Sequence, residues 1–225
     1  MGSEDISIPL DSGERVSGVL TLPDGPGRDL GIVFAHGAAN DMNHPLLRAV
    51  AEGLASHGYS CLRFNFPYRE LGKKSPDSEP KLILAWRRAI EEMKARTGCR
   101  KLIAAGKSLG ARMVAQASDQ DLLRPDGLIF LGYPLHAPGR KEVLRDAPLR
   151  KIQVPLLFVE GTRDPFCDLD LLKGVLQELG APVTLEIIQE GDHSYKLPKS
   201  DPRTEQDIHE FVIQTSIAWL KERFQ

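Results

Sequence analysis

The sequence predicts an α/β fold: a mostly parallel β-sheet with helices on both faces and an antiparallel hairpin at its N-terminal edge. Three observations predict it. Short apolar runs alternate with stretches of helical periodicity along nearly the whole chain. The runs after the hairpin are continuously apolar, as in parallel strands covered on both faces. No repeat, low-complexity segment or linker interrupts the 225 residues, so one domain spanning 1–225 is expected.

Taken in order, Arg15 to Leu22 alternates polar and apolar residues and ends at the turn signal Pro23-Asp24-Gly25; with Ile6 to Pro9 it makes the edge hairpin. Six strands follow: Gly31 to Ala35, Ser60 to Phe64, Lys101 to Ala105, Leu128 to Leu131, Leu156 to Val159 and Val183 to Ile188. Leu46, Leu47, Val50, Ala51 and Leu54 share one helical face, and Gly58 ends that helix. Leu82, Ala85, Trp86, Ala89, Ile90 and Met93 form a second set, and Leu172, Val175, Leu176 and Leu179 a third before Gly180. Ile208, Phe211, Val212, Trp219 and Leu220 describe a long C-terminal helix. Phe66 to Pro80 reads as the longest loop, and Leu135 to Val154 holds only a short helix around Lys141 to Arg145. No gap is long enough for a large lid.

Composition narrows the function classes. A net charge of −2 from 29 basic and 31 acidic residues gives no reason to expect nucleic acid as a partner. No apolar run approaches the ~18 residues of a membrane span, and the acidic start lacks the apolar stretch of a signal peptide. Cys61, Cys99 and Cys167 are widely spaced and odd in number, which points to a reduced, cytoplasmic protein. No His, Asp or Glu grouping has metal-ligand spacing, so neither metal nor cofactor is expected.

Chemistry concentrates at Lys101 to Gly110. Gly106-Lys107-Ser108 looks like the end of a P-loop, but the glycine required five positions earlier is Lys101, and an apolar strand intervenes. The same residues give Gly106-x-Ser108-x-Gly110 between a strand and a helix, the nucleophile-elbow pattern. The plain alternative is a turn serine between glycines. A nucleophilic serine needs a base and an orienting acid. The loop after Leu156 to Val159 presents Asp164, and the loop after Val183 to Ile188 presents His193. Ser108, Asp164, His193 is the chain order of an α/β-hydrolase triad, and all three lie beyond carboxyl ends of strands, where such sheets bind ligands. Phe34-Ala35-His36-Gly37-Ala38-Ala39 follows the first parallel strand; the expected oxyanion donors are the amides of Ala38 and Leu109. His36 is assigned mainly to holding that loop.

His36-Gly37-Ala38, Asp41-Met42-Asn43-His44-Pro45, Arg63-Phe64-Asn65-Phe66-Pro67-Tyr68 and Gly106-Lys107-Ser108-Leu109-Gly110-Ala111-Arg112 carry a resemblance. From about Val16 to Leu220 the chain resembles small, lidless, dienelactone-hydrolase-like α/β-hydrolases. Within them it is similar to the branch holding testis-expressed hydrolase-like proteins and the hydrolase-like subunit of the NSL chromatin complex. The resemblance implies an α/β-hydrolase fold. Dienelactone hydrolase proper uses a cysteine nucleophile, so Ser108 argues against its substrate.

Competing residues have plainer assignments. Asp168 is placed to cap the helix starting near Leu169, and Asp192 is too close to His193 to reach around its ring. His44, His57, His136 and His209 compete with His193 as the base. Gly37, Asn43, His44, Tyr68 and Tyr133 are candidate substrate contacts, with ordinary loop packing the alternative for the tyrosines. Residues 63 to 112 hold 13 Lys/Arg against 5 Asp/Glu. Arg63, Arg69, Lys73, Lys74, Lys107 and Arg112 are expected to flank the mouth and to attract an anionic substrate. The expected function is a serine hydrolase acting through an acyl-enzyme on a small or accessible ester or thioester, the partner being a small acyl compound with no membrane involved. The rival is a non-catalytic interaction module that keeps the hydrolase fold. The sequence leaves the oligomeric state open.

Overall fold

The computed structural model describes residues 2–11 and 13–225. Eight strands form one sheet: β1 (Gly2–Pro9), β2 (Arg15–Leu22), β3 (Leu30–Ala35), β4 (Ser60–Phe64), β5 (Lys101–Lys107), β6 (Gly127–Leu131), β7 (Leu156–Gly161) and β8 (Val183–Ile188). Their spatial order is β1-β2-β4-β3-β5-β6-β7-β8. β1 pairs with β2, and β2 with β4, antiparallel; every later pairing is parallel. The edge hairpin and mostly parallel sheet expected from the sequence are therefore present, with β1 starting at Gly2 rather than Ile6.

Among the described residues six helices accompany the strands: α1 (Pro45–Ser56), α2 (Pro67–Glu70), α3 (Glu79–Thr97), α4 (Leu109–Asp119) and α5 (Leu169–Gln177) between strands, and α6 (Glu205–Phe224) after the last. Alternation along each strand sorts the side chains onto two faces. Ile32, Phe34, Ile103, Ala105, Ile129 and Leu157 pack against α1 and α6; Val33, Ala35, Leu102, Ala104, Leu128 and Phe158 pack against α3, α4 and α5. Both cores are buried, which explains why the central strands read as unbroken apolar runs.

Two loop expectations are corrected. Phe66 to Pro80 is not loop throughout: Pro67 opens α2 and Pro80 lies in the first turn of α3. Proline lacks an N–H that the first helical turn leaves unused anyway, so these prolines start helices rather than break them. The short helix expected around Lys141 to Arg145 is absent, and a 3₁₀ turn occupies Ala147–Lys151. Arg145 is committed elsewhere: its N–H donates to the Leu135 carbonyl at 2.7 Å, and its own carbonyl accepts from Tyr133 Oη at 2.7 Å. Among the described residues no helix is long and apolar enough to cross a membrane.

Candidate active site

β5 runs straight into α4, and Ser108 is the single residue between them. Its backbone sits at φ 50°, ψ −105°, a conformation L-residues rarely adopt. The flanking glycines are required by space. A Cβ at Gly106 would lie 2.2 Å from the Ala111 nitrogen, and one at Gly110 would lie 2.6 Å from the Ala35 carbonyl oxygen. The strand therefore passes close over the helix start, turning the Ser108 side chain out of the sheet. Leu102 to Gly106 are paired with β3 on one side, and Ile103 to Lys107 with β6 on the other. Backbone amides spent on a ladder cannot cradle a phosphate, so the P-loop alternative is ruled out.

The loops after β7 and β8 bring their side chains to this turn. His193 Nε2 stands 2.8 Å from Ser108 Oγ, and His193 Nδ1 stands 2.6 Å from Asp164 Oδ2. The Asp164 side chain is fully buried, and its other oxygen accepts the Phe166 N–H at 2.7 Å. Oδ1 is thus occupied, leaving Oδ2 to orient the imidazole. The Phe166 ring lies against that of His193, centroids 4.4 Å apart.

The loop after β3 lies against Ser108: a Cβ at Gly37 would come within 3.5 Å of Ser108 Cβ. Among the described residues, the amides of Ala38 and Leu109 donate to no protein group. One neighbouring segment holds this loop in place. Tyr68 Oη donates to the Ala38 carbonyl at 2.8 Å, Arg63 Nη1 to the Met42 carbonyl at 2.7 Å, and Met42 N–H to Asn65 Oδ1 at 2.8 Å. His36 completes the brace. It accepts the Phe66 N–H on Nε2 at 3.0 Å, and its Nδ1–H donates to the Gly37 carbonyl at 2.8 Å. Burial holds its pKa down at about 4, so it is neutral at pH 7.

The His193 loop is held differently. Lys107, buried beside the nucleophile, donates from Nζ to the His193 carbonyl and lies over the Tyr195 ring at 4.9 Å from its centroid. Burial lowers its pKa to about 8 against the opposing pull of Asp164, Glu160 and Asp192. Asp192 Oδ1 accepts the amides of Ser194 and Lys196, at 2.7 and 2.9 Å, tying the turn around the base. Tyr195, at φ 65°, anchors the far side through its hydroxyl on the Val159 carbonyl at 2.6 Å.

The family model described as Alpha/beta hydrolase domain matches residues 28–221. The chain belongs to that family. A serine hydrolase homologue from Coxiella burnetii superimposes with a TM-score of 0.76 at 18% identity, covering 96% of this chain and 98% of the other. A lidless α/β serine hydrolase from Xanthomonas campestris gives 0.76 at 21% identity, covering 97% and 95%. Dienelactone hydrolase from Anabaena variabilis gives 0.75 at 19%, covering 100% and 99%. At such identities the likeness is one of fold. It agrees with the dienelactone-hydrolase-like architecture and the missing lid.

Several candidate residues of this α/β-hydrolase need reassignment. Tyr68 and Tyr133 are fully buried and offer no surface to a substrate. Tyr68 braces the Ala38 loop, whereas Tyr133 donates its hydroxyl to the Arg145 carbonyl and its backbone N–H to Glu160 Oε1 at 2.6 Å. Arg63 and Lys107 are also buried, so they do not flank the mouth as attracting charges. Their long apolar stems suit interior positions while their head groups find carbonyl partners. Asn43 is exposed, and its amide is turned onto Asp41 Oδ1 at 2.8 Å. His44 is half-buried. Asp168 caps α5 through the amides of Asp170 and Leu171, as expected. His136 is buried and braces Asp168, accepting its N–H on Nε2 at 2.9 Å. Sequence reasoning missed Phe166 and Tyr195. Their signal was proximity alone, two residues after Asp164 and two after His193.

Proposed function

We propose that this α/β-hydrolase is a serine hydrolase that cleaves a small or accessible ester or thioester. The carrying observation is the unbroken hydrogen-bond chain Ser108 Oγ–His193 Nε2–His193 Nδ1–Asp164 Oδ2, at 2.8 and 2.6 Å. His193 Nε2 takes the hydroxyl proton as Ser108 Oγ attacks the acyl carbon. The carbonyl oxygen becomes an oxyanion facing the free amides of Ala38 and Leu109. On collapse the acyl–leaving-group bond breaks, and the leaving group takes the proton held on His193. Water then attacks the acyl-Ser108 ester with His193 as base, releasing the acid and restoring the serine. Asp164 accepts the Nδ1–H throughout, fixing the tautomer and stabilising the imidazolium. An ester or thioester suits this machinery better than an amide, because its leaving group is easier to expel.

Intact-mass labelling with a fluorophosphonate tests the reading. One adduct is expected on the wild type and none on Ser108→Ala or His193→Ala. Asp164→Asn should keep its fold and lose about 10³–10⁴-fold in kcat on any ester that is turned over. A folded wild type that takes no adduct overturns the proposal in favour of a non-catalytic module.

A further inference from the structure

A cavity of about 700 Å³ opens between the loop ahead of α1, the chain from Ser194 to Glu205, and the first turns of α6. That is the size of a small-molecule site. It borders both working loops: Ser194 directly follows the base, and Asn40 lies two residues past the oxyanion amide of Ala38. Its charge is uneven. Asp201 is locked by Arg203, whose Nη2 and Nε reach its two oxygens at 2.7 and 3.0 Å. Glu205 stands 3.6 Å from His209 Nε2 with its side chain 76% exposed to solvent. Lys196 and Lys199 line the same cavity and, among the described residues, take part in no ion pair. His44 lines the cavity too; its Nδ1 is shut off from water without a hydrogen-bond partner, so contact with a ligand falls to Nε2. Burial lowers the pKa of both His44 and His209, so each ring is held toward its neutral form, able to donate from one nitrogen.

We propose that this cavity binds an anionic group, a carboxylate or phosphate, carried by the substrate of the Ser108 site, with Lys196 and Lys199 supplying charge and His44 a hydrogen bond. The inference rests on the hydrolase reading for the word substrate, but not for binding. It also relocates the attraction for anions. The basic stretch from 63 to 112 turns Arg63 and Lys107 inward, whereas these two lysines stand unpaired at the wall of a real cavity.

The first arm uses Ser108→Ala protein, which cannot turn over. Inorganic phosphate, glutarate and neutral dimethyl glutarate are titrated while the imidazole nitrogens of His44 and His209 are followed by NMR. Saturable shifts with phosphate or glutarate, absent with the diester, are expected; which anion saturates identifies the group. The Lys196→Met/Lys199→Met double variant should weaken that binding about tenfold or more. The second arm compares kcat/KM of wild type and the double variant on an aryl hemiglutarate and its methyl-capped analogue. The ratio of anionic to neutral turnover should exceed about ten in the wild type and fall toward one in the variant. No saturable shift with either anion, or an unchanged ratio in the variant, overturns the proposal. Failure of fluorophosphonate labelling, by contrast, would remove the hydrolase reading and leave the first arm standing.

Discussion

The loop carrying Ala38 and the loop carrying His193 both close on Ser108, but one is braced by neutral groups and the other by a buried charge. Around Ala38, the hydroxyl of Tyr68, the amide of Asn65 and the uncharged ring of His36 all serve backbone groups; only Arg63, on the Met42 carbonyl, is ionic. Around His193, the principal buried brace is Lys107 Nζ, set over the Tyr195 ring with Asp164 and Glu160 nearby. An oxyanion loop needs only its amides free and its carbonyls turned away, which neutral hydrogen bonds accomplish. In the proposed mechanism His193 becomes an imidazolium in each cycle and must also be held close to a carboxylate. A buried cation on its carbonyl anchors it from the side away from the ring nitrogens.

The two braces should answer to pH in different windows, both costing stability as pH falls. His36 has its pKa held at about 4, below the ordinary 6.5. Between those values the unfolded chain binds a proton that the folded chain refuses, so stability falls as pH drops through that window. The loss is about 3 kcal/mol by pH 4. Urea unfolding from pH 7 to pH 4 should show it, and His36→Asn should flatten that part of the slope. If the variant keeps the wild-type slope, the neutral brace is not what acid attacks. Lys107, at about 8 against an ordinary 10.5, obeys the same sign. Above pH 10.5 the group is uncharged in both states; as pH falls from 10.5 to 8 the unfolded chain takes a proton that the folded chain refuses, and the cost reaches about 3 kcal/mol. As pH rises from 8 to 10.5 the wild type should therefore gain stability relative to Lys107→Met, read as the difference between their unfolding curves.

Function separates the braces next. Lys107→Met should keep the fold and lose about a hundredfold in kcat, because a base displaced by about 1 Å costs that much. Equal kcat in the variant would mean that Asp192 and Tyr195 hold the loop unaided. Tyr68→Phe should have the smallest effect. Losing one hydrogen bond to the Ala38 carbonyl costs about 1 kcal/mol of stability, with a fall in kcat of about tenfold or less. Differential scanning calorimetry and ester turnover on the same preparation would check both.

Much of this site was legible in the chain. Ser108 was readable because an elbow demands small residues where strand and helix cross, and Gly106 and Gly110 leave no room for a Cβ. Asp164 and His193 were readable because a parallel sheet delivers every strand-end loop to one edge. The tyrosines were misjudged because a residue just past a strand end can face the pocket or the core, and local sequence does not say which. Tyr68 and Tyr133 both went inward, where their hydroxyls found carbonyls. Pro67 and Pro80 misled for a related reason: proline ends a helix in its interior but starts one in its first turn.

The sequence alone determined the strand–helix alternation, the two-faced core and the order of Ser108, Asp164 and His193, because these follow from periodicity and from short-range sterics. Only the tertiary structure decided which charges are buried and which are free. Lys107 and Arg63 became internal braces, whereas Lys196 and Lys199 were left unpaired beside a cavity. The fate of a charge depends on what distant segments place around it, and no spacing along the chain encodes that directly.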